Sequence, residues 1–128
     1  MSTVTLSAEN FERTIIEPSA GSSGIVLVDW WASWCGPCRQ FAPTYEAAAG
    51  RHPDIVFGKV DTEAERMLAT AANITSIPTL MVFKNGTLVY SQPGALPAAA
   101  LEDVILQVRA LDVDRPQDGA DSSGQKSA

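Results

Sequence analysis

The sequence predicts an α/β fold built on a mixed sheet, and three observations carry that expectation. Strand-like and helix-like stretches alternate along most of the 128 residues, the pattern of parallel strands joined by helical crossovers. Ile25-Val26-Leu27-Val28-Asp29-Trp30-Trp31 is apolar on both of its faces, which suits a central strand covered by helices on each side. Asn85-Gly86, set between Thr79–Lys84 and Thr87–Gln92, is a two-residue hairpin signal and adds an antiparallel pair.

The elements follow in order. Val4-Thr5-Leu6 is a weakly marked first strand. Ser7 has the chemistry of a helix N-cap, with Leu6 and Phe11 spaced as a hydrophobic staple, and Phe11, Ile15 and Ile16 continue at helical spacing. Pro18 to Gly24 is rich in Gly and Ser, breaks that helix and reads as a flexible loop. After the central strand, Cys35 to Gly50 carries a helical pattern in which Pro43 removes one backbone donor and should introduce a kink. Ile55 to Val60 reads as a second buried strand. Thr62 and Glu65 are spaced as a capping box, and Ala64, Met67, Leu68, Ala71 and Ala72 would give the next helix its apolar stripe. The hairpin follows. Pro97 then opens a last helix whose Leu101, Val104, Ile105, Val108 and Leu111 recur at helical period. We expect one domain over residues 1–111 and a polar, disordered tail over 112–128, where the chain turns to Asp, Gly, Ser, Gln and Ala.

Composition excludes several functions. A hydrophobic share of 45% and a charged share of 19% are ordinary for a globular domain. The net charge is −6, from 9 Lys and Arg against 15 Asp and Glu, and no Lys/Arg-rich run appears, so nucleic acid is not an expected partner. No stretch reaches the roughly 18 apolar residues of a membrane span. The first seven residues have neither a basic segment nor an apolar one, so we expect no secretory signal there and a reducing, cytoplasmic setting.

The chain has two cysteines, in Trp34-Cys35-Gly36-Pro37-Cys38, directly after the central strand. A tight turn followed by a helix would place Cys35 at a helix N-terminus, where unpaired N–H groups and the positive end of the dipole favour a thiolate. Cys38, one turn further, would attack a mixed disulfide formed on Cys35. We expect Cys35 to be the nucleophile and Cys38 the more buried resolving thiol, with Gly36 and Pro37 shaping the turn. A metal half-site and a pair of inert core thiols are the other readings. Zinc asks for four ligands, and the chain adds only His52 to its two cysteines among these residue types. Asp29 is either a solvated strand end or a buried carboxylate able to exchange a proton with Cys38. Lys59 is either its charge partner or a snorkelling lysine. Trp34, Ile77, Pro78 and Gly94 could share an apolar surface around the thiols, although singly each has an ordinary structural reading. His52, beside Pro53, is expected on a surface turn without a role.

Trp31-Ala32-Ser33-Trp34-Cys35-Gly36-Pro37-Cys38, preceded by Val28-Asp29, resembles the active-site motif of the thioredoxin family. The similarity continues through Lys59-Val60-Asp61, Ser76-Ile77-Pro78-Thr79, Phe83-Lys84-Asn85-Gly86 and Gly94-Ala95-Leu96, and covers residues 4–111 in order. The resemblance implies a thioredoxin fold: a five-stranded mixed sheet flanked by four helices. It implies a cis Ile77–Pro78 peptide facing the disulfide, Asp29 as a proton-transfer group with Lys59 beside it, and a client-binding surface of Trp34, Ile77, Pro78 and Gly94. Gly-Pro between the cysteines is the pairing of that family's reductants, whereas a histidine there would make the disulfide more oxidising. The implied activity is reduction of protein disulfides. The chain itself would bind no cofactor and no metal, taking electrons from NADPH through an FAD-containing thioredoxin reductase. We expect a monomer whose partners are that reductase and disulfide-containing client proteins. An oxidase or isomerase, and a binding module that uses the fold without its chemistry, remain open on the sequence alone.

Overall fold

In the computed structural model of the chain, residues 3–16 and 23–113 are described. Most of the expected loop at Pro18 to Gly24 and nearly all of the expected tail therefore lie outside the described residues. The elements are β1 (Thr3–Thr5), α1 (Phe11–Ile16), β2 (Ile25–Trp31), α2 (Gly36–Arg51), β3 (Val56–Asp61), α3 (Arg66–Ala71), β4 (Thr79–Lys84), β5 (Thr87–Pro93) and α4 (Ala98–Ala110). The sheet has the order β1-β3-β2-β4-β5. β3 runs parallel to both β1 and β2, whereas β4 runs antiparallel to β2 and β5. This is the thioredoxin-type architecture implied above: five mixed strands with four helices.

β2 is central because its side chains suit both faces. Ile25 and Leu27 join Phe41, Tyr45 and Ala48 of α2, Phe57 of β3 and Leu101, Ile105 and Val108 of α4 in one core. Val26, Val28 and Trp30 point the other way, toward Leu6, Ile15, Val60 and Ala69. The period-2 alternation of a strand thus feeds two separate cores, and Asp29, two residues beyond Leu27, belongs to the α2 side. Gly58 sits where β3 is covered by Leu6: a Cβ there would overlap the Leu6 side chain. Asn85 and Gly86 both adopt positive φ, 51° and 85°, the type I′ geometry that joins two twisted strands.

Four local expectations are corrected. Ser7 does accept the Glu9 N–H on its hydroxyl at 3.2 Å, but a turn over residues 8–10 intervenes and α1 starts at Phe11. Thr62 and Glu65 do not form a capping box. The Thr62 hydroxyl donates instead to the Trp31 carbonyl at 3.1 Å, Glu65 accepts from the Ala8 N–H, and α3 begins only at Arg66. The later start rotates the stripe, so Leu68, Ala69 and Ala72 pack inward while Ala64, Ala71 and Met67, the last 86% exposed, face outward. At the end of α4, Leu111 is the exposed C-cap and not part of the buried stripe.

Candidate active site

The site forms where β2 ends and α2 begins. Cys35 is the N-cap of α2, with extended backbone at φ −89° and ψ 113°. Its Sγ accepts the Cys38 N–H at 3.2 Å, so the sulfur takes the position that a capping serine or aspartate oxygen would fill. Pro37 lies in the first turn of the helix, where its missing N–H costs nothing and its fixed φ suits the helix. Gly36 has neither a positive φ nor crowding: a Cβ there would meet nothing within 4 Å. The turn therefore makes no steric demand for glycine from within the chain.

Cys35 and Cys38 form a disulfide with Cα atoms 5.2 Å apart. They pack with Ala32, Trp31 and Ile77. The expectation that Cys38 is the more buried is not met in this oxidised form, since the two are 4% and 3% exposed. What distinguishes them is position, because Cys35 caps the helix and Cys38 lies inside it.

Ile77–Pro78 is a cis peptide, as the resemblance implies. The Ile77 carbonyl oxygen lies 3.8 Å from the Cys35 sulfur, and the Pro78 carbonyl accepts the Gly94 N–H at 2.7 Å. Gly94 has φ +106°, a conformation that favours glycine. The structure therefore brings Ile77, Pro78 and Gly94 beside the disulfide. Trp34 is 65% exposed next to Cys35, and its indole N–H donates to Glu63 Oε2 at 3.3 Å.

Asp29 is only 1% exposed. Among the described residues, neither of its carboxylate oxygens has a hydrogen-bond partner. Burial pushes its pKa up to about 7, and the charge of Lys59 partly opposes that rise. Asp29 and Lys59 are register partners across β2 and β3, yet no ion pair joins them among the described salt bridges. The Lys59 ammonium lies 5.1 Å from the centroid of the Trp31 ring instead. Its expected partnership with Asp29 is thus through space and not by contact. His52 is half-buried, between Glu102 and Arg109, far along the chain from the thiols.

Several supporting residues were not anticipated. Thr62 directs both its N–H and its hydroxyl at the Trp31 carbonyl, Arg39 donates to the Ser33 carbonyl at 2.9 Å, and Glu63 holds Trp34. All three brace the loop that carries Cys35. Tyr45 is wholly buried on α2. The spacing Cys38-Phe41-Tyr45, three and then four residues, was the available signal for the last. The others depend on which loop lies beside which, information that spacing does not contain. Among the described residues, no group of three or more His, Cys, Asp or Glu side chains is arranged to hold a metal ion.

Comparison with known proteins agrees with this geometry. The family model described as Thioredoxin matches residues 2–107. A protein of Streptomyces coelicolor named putative thioredoxin 2 is 57% identical over 113 residues, covering 88% of this chain and 81% of the relative. The solution structure of oxidised thioredoxin from Plasmodium falciparum superposes with a TM-score of 0.72 at 35% identity, covering 85% of this chain and 100% of that one. A chain from the crystal structure of a complex of ferredoxin:thioredoxin reductase with thioredoxin f2 gives a TM-score of 0.75 at 27% identity, covering 85% of this chain and 96% of that one.

Proposed function

The chain belongs to the thioredoxin family and is a protein-disulfide reductase with a redox-active Cys35–Cys38 pair, and from that premise we propose how its residues divide the reaction. In the dithiol form the Cys35 thiolate attacks one sulfur of a client disulfide. A bond forms between Cys35 and that sulfur, and the other client sulfur leaves as a thiolate. Asp29, as the carboxylate, takes the Cys38 proton. The Cys38 thiolate then attacks the Cys35 sulfur, forming the intramolecular disulfide and expelling the second client thiolate. Two electrons have passed to the client, which ends as a dithiol once its thiolates take up protons.

The observation that carries this assignment is the N-cap position of Cys35, with the Cys38 N–H directed at its sulfur. In the reduced protein the same N–H and the N-terminus of α2 would stabilise a thiolate there. A carboxyl group with a pKa near 7 is matched to proton exchange at neutral pH. Trp34, Ile77, Pro78 and Gly94 supply the client-binding surface, where an extended client segment pairs with the Ile77 backbone. Lys59 tunes Asp29 by its charge.

We further propose that a thioredoxin reductase returns the disulfide to the dithiol, with NADPH and FAD carried by that partner. A ferredoxin-dependent reductase, as named for the complexed relative, is the other source of electrons. No helix among the described residues is long and apolar enough to cross a membrane. A cytoplasmic monomer acting on protein clients, with its domain ending near residue 111, completes the reading.

The roles of the two thiols are tested by trapping. Cys38→Ser should accumulate client mixed disulfides on Cys35, and Cys35→Ser should not. Equal trapping by the two variants, read on non-reducing gels, would overturn the assignment.

A further inference from the structure

We propose that Tyr45 is a positioning residue for the proton-transfer pair, holding Lys59 at its place beside Asp29. The inference deepens the reading above and rests on its assignment of Asp29. Three observations carry it. Cys38, Phe41 and Tyr45 form one buried stripe of α2, laid over the sheet face to which Leu27 and Phe57 belong. At the end of that stripe, the Tyr45 hydroxyl donates to the Gly58 carbonyl at 2.8 Å. That carbonyl carbon is bonded to the Lys59 nitrogen, and Lys59 is the register partner of Asp29.

Gly58 is thereby held from two directions. Leu6 occupies the space where its Cβ would be, and the Tyr45 hydroxyl holds its carbonyl. The Tyr45 ring is itself confined by Phe57 and Phe41, with centroids 5.2 and 5.5 Å away. A buried hydroxyl must find an acceptor, and this one finds it on the peptide that precedes Lys59. The groups facing Asp29 are few. β3 brings Lys59 as its register partner. α2 brings Tyr45, whose phenol feels the charges of Asp29 and of Glu46, the latter at the solvent edge accepting from the Thr3 hydroxyl. Cys38 lies on the same buried stripe of α2. β4 places uncharged Leu80 in register, and the buried stripe of α4 is Leu101, Ile105 and Val108. Burial first, and then the charges of Asp29 and Glu46, hold the Tyr45 phenol well above its ordinary range, so it stays a protonated donor.

Since Asp29 and Lys59 interact without a contact, their coupling depends on where β3 starts the Lys59 side chain and on the Trp31 ring that its ammonium lies over. Loosening Gly58 weakens the field of Lys59 at Asp29. The test is Tyr45→Phe in the full chain, with the Asp29 carboxyl titrated by carbon-13 NMR in the oxidised protein and mixed-disulfide resolution followed against pH from the dithiol protein. The Asp29 midpoint should rise by about half a unit, and the pH–rate profile should move alkaline with it. Val108→Ala, which truncates the same core from α4 without removing a hydroxyl, should lower stability and leave the midpoint in place. A Tyr45→Phe midpoint equal to that of the parent, whatever the loss of stability, would overturn the proposal. An equal shift in Val108→Ala would do so too. A shifted midpoint with an unmoved rate profile would support Tyr45 as the positioning residue while refuting Asp29 as the proton acceptor.

Discussion

Asp29 concentrates the cost of this site in one residue. Its carboxyl is buried without a hydrogen-bond partner among the described residues, and burial pushes its pKa to about 7, against 3.8 for an exposed aspartate. Between those two values the unfolded chain has lost the proton and the folded chain retains it. Stability therefore falls as pH rises through that window and levels off above about 7. The full difference corresponds to about 4 kcal/mol, and it is the cost of carrying a charge in the core. Asp29→Asn removes the ionisation but leaves a buried amide whose own partners are missing, worth about 1–3 kcal/mol against it. We expect the variant to be more stable than the parent above pH 7 by about 1–3 kcal/mol and to lose the slope between pH 4 and 7. Urea unfolding at pH 5 and pH 8.5 checks this. Equal slopes in the two proteins would mean that another group carries the dependence.

Among the elements, α4 depends on a residue from the sheet. Its last carbonyls lack the donors of a following turn; the Leu111 N–H reaches the Val108 carbonyl at 3.1 Å, and Lys84 of β4 supplies further donors. The ammonium donates to the Val108 carbonyl at 2.9 Å, to the Arg109 carbonyl at 3.1 Å and to the Leu111 carbonyl. A cation at that end also meets the negative pole of the helix dipole. Lys84→Met keeps most of the aliphatic stem and removes the charge, and should cost about 1–2 kcal/mol, read as a lower denaturant midpoint at unchanged slope. A second polar link from α4 is the cluster of Arg51, His52, Asp54, Glu102 and Arg109. There Arg109 holds both oxygens of Asp54, and Glu102 accepts from Arg51 and His52. The hydrogen bond from Arg109 holds the Asp54 carboxyl below its usual range. These groups are partly exposed, so each pairing contributes little to stability.

At the scale of the molecule, chemistry and anchoring occupy opposite ends of the sheet. The end of β2, the start of α2, the cis peptide before β4 and Gly94 after β5 all meet at one end, as is usual for sites at the carboxyl ends of parallel strands. The Asn85–Gly86 hairpin and the Lys84 cap lie at the other, where Asn85 also holds the Val113 carbonyl. Removing residues 114–128 should therefore leave the site intact. A chain ending at Val113 is expected to take electrons from NADPH through a flavoprotein thioredoxin reductase and reduce a model protein disulfide at the rate of the full chain. A rate several-fold lower would assign those residues a part in the reaction. Turnover with a ferredoxin-dependent reductase alone would replace the proposed electron source.

The amino-acid sequence by itself determined the alternation of elements, the both-face burial of β2, the hairpin and the placing of two thiols one turn apart at a helix start. Each is a local pattern: side-chain period, turn chemistry and capping act between residues close in the chain. Where a local signal was weak, neighbours overrode it. Thr62 and Glu65 had a capping spacing, but their side chains found better partners in Trp31 and Ala8. Only the tertiary structure decided that Asp29 is buried without a hydrogen-bond partner among the described residues, that Lys59 lies over Trp31 and not against Asp29, that Glu63 holds Trp34, and that Tyr45 reaches the peptide before Lys59. These facts depend on strand register and on which face a helix lays against the sheet. Both are settled by packing between segments far apart in the chain, and short-range spacing carries no record of them.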